Sequence, residues 1–129
     1  MPRNETGAVT SRRVLIVDDN VDSAESLRMV VTLAGHEVGV AFNGKDAIAA
    51  ALRTLPHAVM LDLGLPDIDG YAVAREIRSH EALRGVVIVA TTGSNRAEDI
   101  EKARNAGIDE HMTKPLDLDR LLAIIDEAR

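Results

Sequence analysis

Ala58-Val-Met-Leu-Asp-Leu-Gly-Leu-Pro-Asp-Ile-Asp-Gly70 joins an unbroken apolar run to a carboxylate and then breaks into a loop. The run Ala58–Leu61 has the length and continuous apolarity of a strand buried on both faces, the pattern of a parallel sheet. Leu-Gly-Leu-Pro ends it, and Asp69-Gly70 opens a new segment. An acid at the carboxyl end of a central parallel strand lies where open α/β sheets bind ligands, so Asp62 is the residue to explain.

Working outward, the same unit recurs. Val14-Leu-Ile-Val17 is a first apolar strand ending in Asp18-Asp19, followed by a helical stripe at Leu27, Val30, Val31 and Ala34. Asp22 and Glu25 are spaced as N-cap and third helical residue, and Gly35 is placed to end the helix. Glu37–Ala41 alternates, as an edge strand does. Asn43-Gly44 caps a helix with a stripe through Ala47, Ile48, Ala51, Leu52 and Leu55, stopped by Pro56. Asp69 starts a helix carrying Val73 and Ile77, and Ser79 to Gly85 reads as its frayed end and a loop. Val86–Ala90 is a β-branched fourth strand ending in Thr91-Thr92-Gly93. Asn95 and Glu98 form a capping pair for a helix through Ile100 and Ala103, closed by Gly107. Glu110–Thr113 is a short fifth strand leading to Lys114-Pro115. Asp117 then caps a last helix with the stripe Leu118, Leu121, Leu122 and Ile125, and Arg129 suits its negative end. Five alternating strand–helix units predict right-handed crossovers and a doubly wound, flavodoxin-like (βα)5 α/β sandwich with parallel sheet order 2-1-3-4-5.

Composition narrows the chemistry. The 129 residues suit one domain with a single core, over residues 13–129, behind a polar flexible arm at 1–12. No cysteine is present, which excludes disulfides, a thiol nucleophile and a thiolate metal site. A net charge of −6 with the 15 Lys and Arg dispersed, and only Phe42 and Tyr71 as aromatics, argues against a nucleic-acid surface. With no membrane-length apolar run and no signal-peptide core before Arg13, a cytoplasmic protein without membrane contact is expected.

Polar residues terminate four of the five strands: Asp18 and Asp19, Asp62, Thr92, and Lys114. In the order 2-1-3-4-5, strands one and four flank strand three at about 4.8 Å, within side-chain reach of Asp62, and Lys114 reaches from roughly 10 Å. Carboxylates about 4 Å apart repel by about 4 kcal/mol at an effective dielectric near 20, so either their pKa values rise or a hard divalent cation binds. Oxygen-only ligation favours a Mg2+-like ion. A dication, the Lys114 ammonium and the Thr92 hydroxyl around one Asp62 oxygen would stabilise a phosphoryl group arriving there.

Val17-Asp18-Asp19, Leu61-Asp62 with Pro66 and Gly70, Thr92-Gly93 and Lys114-Pro115 resemble, in order and spacing, the receiver domain of two-component response regulators, including chemotaxis-regulator-like, single-domain and hybrid-kinase receivers. The likeness runs from Arg13 to Arg129. It implies that Asp62 accepts a phosphoryl group from a histidine kinase or histidine phosphotransfer protein. It implies that Asp18, Asp19, Asp62 and the backbone carbonyl of Gly64 hold Mg2+, and that Thr92 and Lys114 contact the phosphoryl oxygens, with a cis peptide at Lys114-Pro115. Such a domain catalyses only its own phosphorylation and dephosphorylation, and signals to a downstream protein through helix four, strand five and helix five. Without an effector segment in the sequence, it would act through a partner, either as a single-domain regulator and phosphate shuttle or as the detached receiver of a hybrid kinase. The sequence departs from the family at His111, where an aromatic residue is common. Gly64 and Ser94, two positions after Asp62 and Thr92, are small, so water is expected to reach the phosphoryl group unobstructed. The alternative is a Mg2+-dependent phosphatase or phosphotransferase with an aspartyl-phosphate intermediate, but these carry a second acid where Gly64 stands. His36, His57 and His80 lack ligand spacing and read as structural or exposed. Gly44-Lys45 lacks the context of a phosphate loop.

Overall fold

The computed structural model describes residues 11–93 and 97–128. Strands β1 (Arg13–Val17), β2 (Glu37–Ala41), β3 (Ala58–Asp62), β4 (Val87–Thr92) and β5 (Glu110–Thr113) form one parallel sheet in the order β2-β1-β3-β4-β5. Helices α1 (Val21–Leu33), α2 (Gly44–Thr54), α3 (Gly70–Ser79), α4 (Ala97–Asn105) and α5 (Leu118–Glu127) cross between and after the strands. The fold is the expected flavodoxin-like one.

The period-two alternation of strand side chains divides the core into two layers. Leu15, Val17, Val59, Leu61, Ile88 and Ala90 point to one face and pack with α2 and α3 through Ala47, Ala51, Val73 and Ile77. Val14, Ile16, Met60, Val89 and Met112 point to the other and pack with α1 and α5 through Val31, Leu121 and Ile125. All five residues of β3 are buried. Each buried Val, Leu, Ile or Met contributes roughly 1.5–3 kcal/mol, so a charge at Met60 or Ile88 would remove the reason for the layers to close.

Several local expectations need correction. The N-cap of α1 is Asn20, not Asp22: Asp18 Oδ1 accepts the Asn20 N–H at 2.9 Å, which turns the chain early, and Asn20 Oδ1 accepts from Ser23 N–H. Asp22 sits instead in the first turn, where a negative charge suits the helix dipole. Leu52, Leu55, Ile100 and Leu118 are exposed rather than core-facing. In α2 the buried face is made by Ala47, Ala50 and Ala51, small enough to bring the helix close to the sheet. The stretch after α3 holds a 3-10 turn, Glu81–Leu83, that buries Leu83. Strand β4 begins at Val87 and includes both Thr91 and Thr92. Asn43, Asp69 and Asp117 cap their helices as expected, and Gly35 and Gly107 take positive φ after α1 and α4. Ser94, Asn95 and Arg129 lie outside the described residues, and the expected pairing of Asn95 with Glu98 falls there with them.

The amino end of the sheet is fastened by side chains. Arg12, assigned to the arm by composition, donates its backbone N–H to His36 Nδ1 at 3.0 Å. His36 Nε2 therefore carries the proton and donates to Asp126 Oδ1 at 3.0 Å, with both side chains buried. The Arg12 guanidinium reaches the carbonyls of Asp126 and Ala128 at the end of α5. Arg13, the first residue of β1, repeats the device toward β3: its N–H donates to His57 Nδ1, and its guanidinium caps the carbonyls of Thr54 and Leu55, where α2 ends in a left-handed Leu55. Arg78 donates to the carbonyls of Arg84, Val86 and Gly107 and to Asp109, which also accepts the Ile88 N–H.

Candidate metal centre at the carboxyl end of the sheet

Four side chains meet where β1, β3 and β5 end. Asp18 and Asp19 follow β1, Asp62 is the last residue of β3, and Lys114 follows β5. Register explains the meeting: Val17 lies opposite Leu61, so the chain beyond β1 emerges beside Asp62. Carboxylate oxygens of Asp18, Asp19 and Asp62 lie within 4.8 Å of one another. Lys114 Nζ donates to Asp62 Oδ2 at 3.2 Å, and the Gly64 N–H donates to Asp62 Oδ1 at 2.8 Å. The Lys114–Pro115 peptide is cis.

Asp18 and Asp62 are only 9% and 8% exposed, whereas Asp19 is open to solvent. Burial, reinforced by the Asp62 carboxylate, raises the Asp18 pKa above the ordinary aspartate value, against the lowering pull of the Asn20 N–H and the Lys114 ammonium. Among the described residues, one ammonium faces three carboxylates, which leaves negative charge in excess. The donor set is all carboxylate oxygen, with no imidazole or thiolate, and fits a hard divalent cation of the Mg2+ type. A cleft of about 440 Å3 opens beside the cluster, with Asp18, Lys114 and Thr91 near Leu27, Met60 and Leu116.

Thr92 is the last residue of β4 and half-buried, with its backbone carbonyl accepting the Lys114 N–H at 2.8 Å. The register partner of Asp62 is its neighbour Thr91, buried and lining the cleft, a residue the strand-end rule passes over because the threonine pair hides the register. Gly64 begins the exposed part of the β3–α3 loop; a Cβ there would lie 3.5 Å from Asp62 Oδ1, so glycine keeps a side chain off the oxygen that accepts its own N–H. His111 lies in β5 opposite Ala90, and its Nε2 is buried without a hydrogen-bond partner among the described residues. Asp67, which sequence reasoning missed, accepts the N–H groups of Gly44 and Lys45 at 2.7 and 3.0 Å. Its partners are 23 and 22 residues away, so no local pattern announces it.

The model of the response regulator receiver domain family matches residues 14–126. The chain is 34% identical over 119 residues to the transcriptional regulatory protein PrrA of Mycobacterium tuberculosis, covering 92% of this chain and 50% of that protein. It thus spans about half the length of the first curated relatives it matches. Among solved structures, it is similar to the receiver domain of Saccharomyces cerevisiae Ssk1, crystallised with the histidine phosphotransfer protein Ypd1. That match has a TM-score of 0.84 and 31% identity, and covers 94% of this chain and 90% of the other. It is also similar to the receiver domain of the Pseudomonas aeruginosa sensor histidine kinase PA1611, which has a magnesium ion in its active-site cleft. Here the TM-score is 0.83 and the identity 29%, over 92% and 98% of the two chains.

Proposed function

Because this chain belongs to the response regulator receiver domain family of two-component systems, we propose that Asp62 is its phosphoacceptor and that residues 13–129 form the receiver, onto which Arg12 of the preceding segment 1–12 is fastened. The observation that carries the assignment is the convergence on one carboxylate: Asp18 and Asp19 within 4.8 Å, and the Lys114 ammonium at 3.2 Å. The donor is a phosphohistidine on a histidine kinase or a histidine phosphotransfer protein, the latter being the kind of partner seated on the Ssk1 receiver.

In the transfer an Asp62 carboxylate oxygen attacks phosphorus, the P–O bond forms as the P–N bond to histidine breaks, and the imidazole leaves. Asp18, Asp19, Asp62 and the Gly64 carbonyl would hold Mg2+, which supplies charge neutralisation for the phosphoryl oxygens. Lys114 already lies on Asp62 Oδ2 and follows the charge onto the phosphoryl group, while Thr92 offers a hydroxyl from the neighbouring strand end. Gly64 leaves Asp62 open on one side, which supports hydrolysis of the phosphoaspartate by unobstructed water. The domain thereby catalyses only its own phosphorylation and dephosphorylation.

The output runs through the face of α4, β5 and α5 to a downstream protein, with His111 in the place of the common aromatic residue. Among the described residues, no helix is long and apolar enough to cross a membrane. We place the protein in the cytoplasm, without membrane or nucleic acid as direct partners of this domain.

Incubation with acetyl phosphate and Mg2+ tests the assignment. One alkali-labile phosphate per chain is expected, not formed when Mg2+ is chelated beforehand and abolished by Asp62→Asn. Multiple-turnover hydrolysis of a small phosphate ester would instead mark a phosphatase.

A further inference from the structure

The loop between β3 and α3 carries Gly64, yet much of it is exposed. Its two ends touch: a Cβ on Gly70 would sit 2.7 Å from Leu63 Cα, so only glycine lets the chain close there. The Gly64 N–H is spent on Asp62 Oδ1 and the Leu63 N–H on the Thr91 carbonyl. The middle of the loop has a different anchor. Asp67 spans the first two N–H groups of α2, Gly44 to Oδ1 and Lys45 to Oδ2.

The approach is tight by design of the sequence. A Cβ on Gly44 would meet Val73 Cγ2 at 2.8 Å, Ile68 Cβ at 3.0 Å and Asp67 Oδ1 at 3.3 Å, so the first turn of α2 comes closer to the loop than a larger residue permits. Helix α2 already has its own cap, since Asn43 Oδ1 accepts the Asp46 N–H at 2.8 Å. A carboxylate brought from 22 residues away is not needed to start this helix; it fixes the loop to a rigid element.

We propose that Asp67 is a positioning residue for the divalent cation, holding the β3–α3 loop against α2 so that the Gly64 carbonyl is preset as a ligand. This rests on the assignment of the acid cluster and Gly64 as the metal site. The tether uses the ionised carboxylate: the Gly44 N–H holds the Asp67 pKa below the ordinary aspartate value, helped by Lys45. The loop is then as firmly placed before the metal arrives as after it, and the ordering cost of binding falls.

Isothermal titration of MgCl2 into the whole chain tests this. Asp67→Ala should weaken Mg2+ binding about 10-fold while Asn43→Ala, which removes the helix's own cap, and Asp46→Asn, which removes a charge from the same turn, stay within about twofold. Faster amide exchange at Gly44 and Lys45, with an unchanged far-ultraviolet circular dichroism spectrum, verifies that only the tether is broken. Asp19→Asn reports on the metal site itself and should weaken binding at least as much as Asp67→Ala. Unchanged affinity in Asp67→Ala beside a weakened Asp19→Asn overturns the positioning role and leaves the metal site standing. A loss in Asn43→Ala or Asp46→Asn equal to that in Asp67→Ala overturns it too, as a general effect of helix stability or charge. If Asp19→Asn binds Mg2+ like the parent chain, the metal assignment falls and takes the positioning role with it.

Discussion

The two ends of the same five strands treat buried polar groups in opposite ways. At the amino end, His36 accepts from Arg12 and donates to Asp126, His57 accepts from Arg13, and Arg78 divides its donors among three carbonyls and Asp109. At the carboxyl end, three carboxylates crowd within 4.8 Å of one another, with Lys114 on Asp62 as their one cation among the described residues. The first arrangement pairs its donors with acceptors; the second leaves like charges in excess among the described residues. The difference teaches where to look for function in a sheet whose every strand is well packed: a polar cluster left with like charges in excess has a use that stability does not explain.

The largest expected effect tests the amino end. His36→Ala removes the acceptor of the Arg12 N–H and a buried partner of Asp126, and should cost about 3 kcal/mol in urea unfolding. Phosphorylation by acetyl phosphate should be unaffected per folded molecule. A variant that kept its stability but lost phosphorylation would erase the division between the two ends.

The next effect has the opposite sign. Removing one of the crowded charges with Asp18→Asn should raise the melting temperature of the metal-free protein by a few degrees, on the order of what relief of about 1 kcal/mol gives a domain of this size. Saturating Mg2+ should reverse the order, because the parent chain gains stability from binding and the variant gains less. Thermal scans with and without EDTA read both. A metal-free Asp18→Asn that melts below the parent would show that the carboxylate is held for stability.

The smallest effect is a matter of pH. Burial lowers the His57 pKa below its ordinary 6.5, and the guanidinium groups of Arg13 and Arg12 add to the shift. The folded state therefore binds fewer protons at this residue than the unfolded state. Its contribution is fully present above 6.5 and is lost as pH falls through that value toward the depressed one. His57→Gln should flatten the decline in urea midpoint between about pH 7.5 and pH 5. An unchanged slope would sever His57 from the pH response of the amino end.

Much of the site at the carboxyl end was legible because strand ends announce themselves: an apolar run stopping at Asp18 or Asp62 needs no partner to be noticed, whereas Lys114 follows a weak strand and stood out through Lys114-Pro115. Strand order then did the rest, since parallel crossovers leave few choices. The threonine was harder, because Thr91 and Thr92 are adjacent and only the register shows that Thr91 lies opposite Asp62. Asn20 outcompeted Asp22 as a cap through the turn that Asp18 makes, a contest invisible in spacing alone. Leu52 and Leu55 misled because alanines, not leucines, press α2 to the sheet. The clamp of His36 on Asp126 joins residues 90 apart, and Asp67 reaches back 23 to Gly44. Neither leaves a local periodicity to read.

Arg12 has one more implication. By holding the final carbonyls of α5 beside the entrance to β1, it places the chain's entry and exit at the same pole, opposite the acid cluster. A polypeptide joined at either point leaves from the far side of the molecule. The unit can therefore be threaded into longer chains while the pole with its acid cluster stays open to whatever approaches.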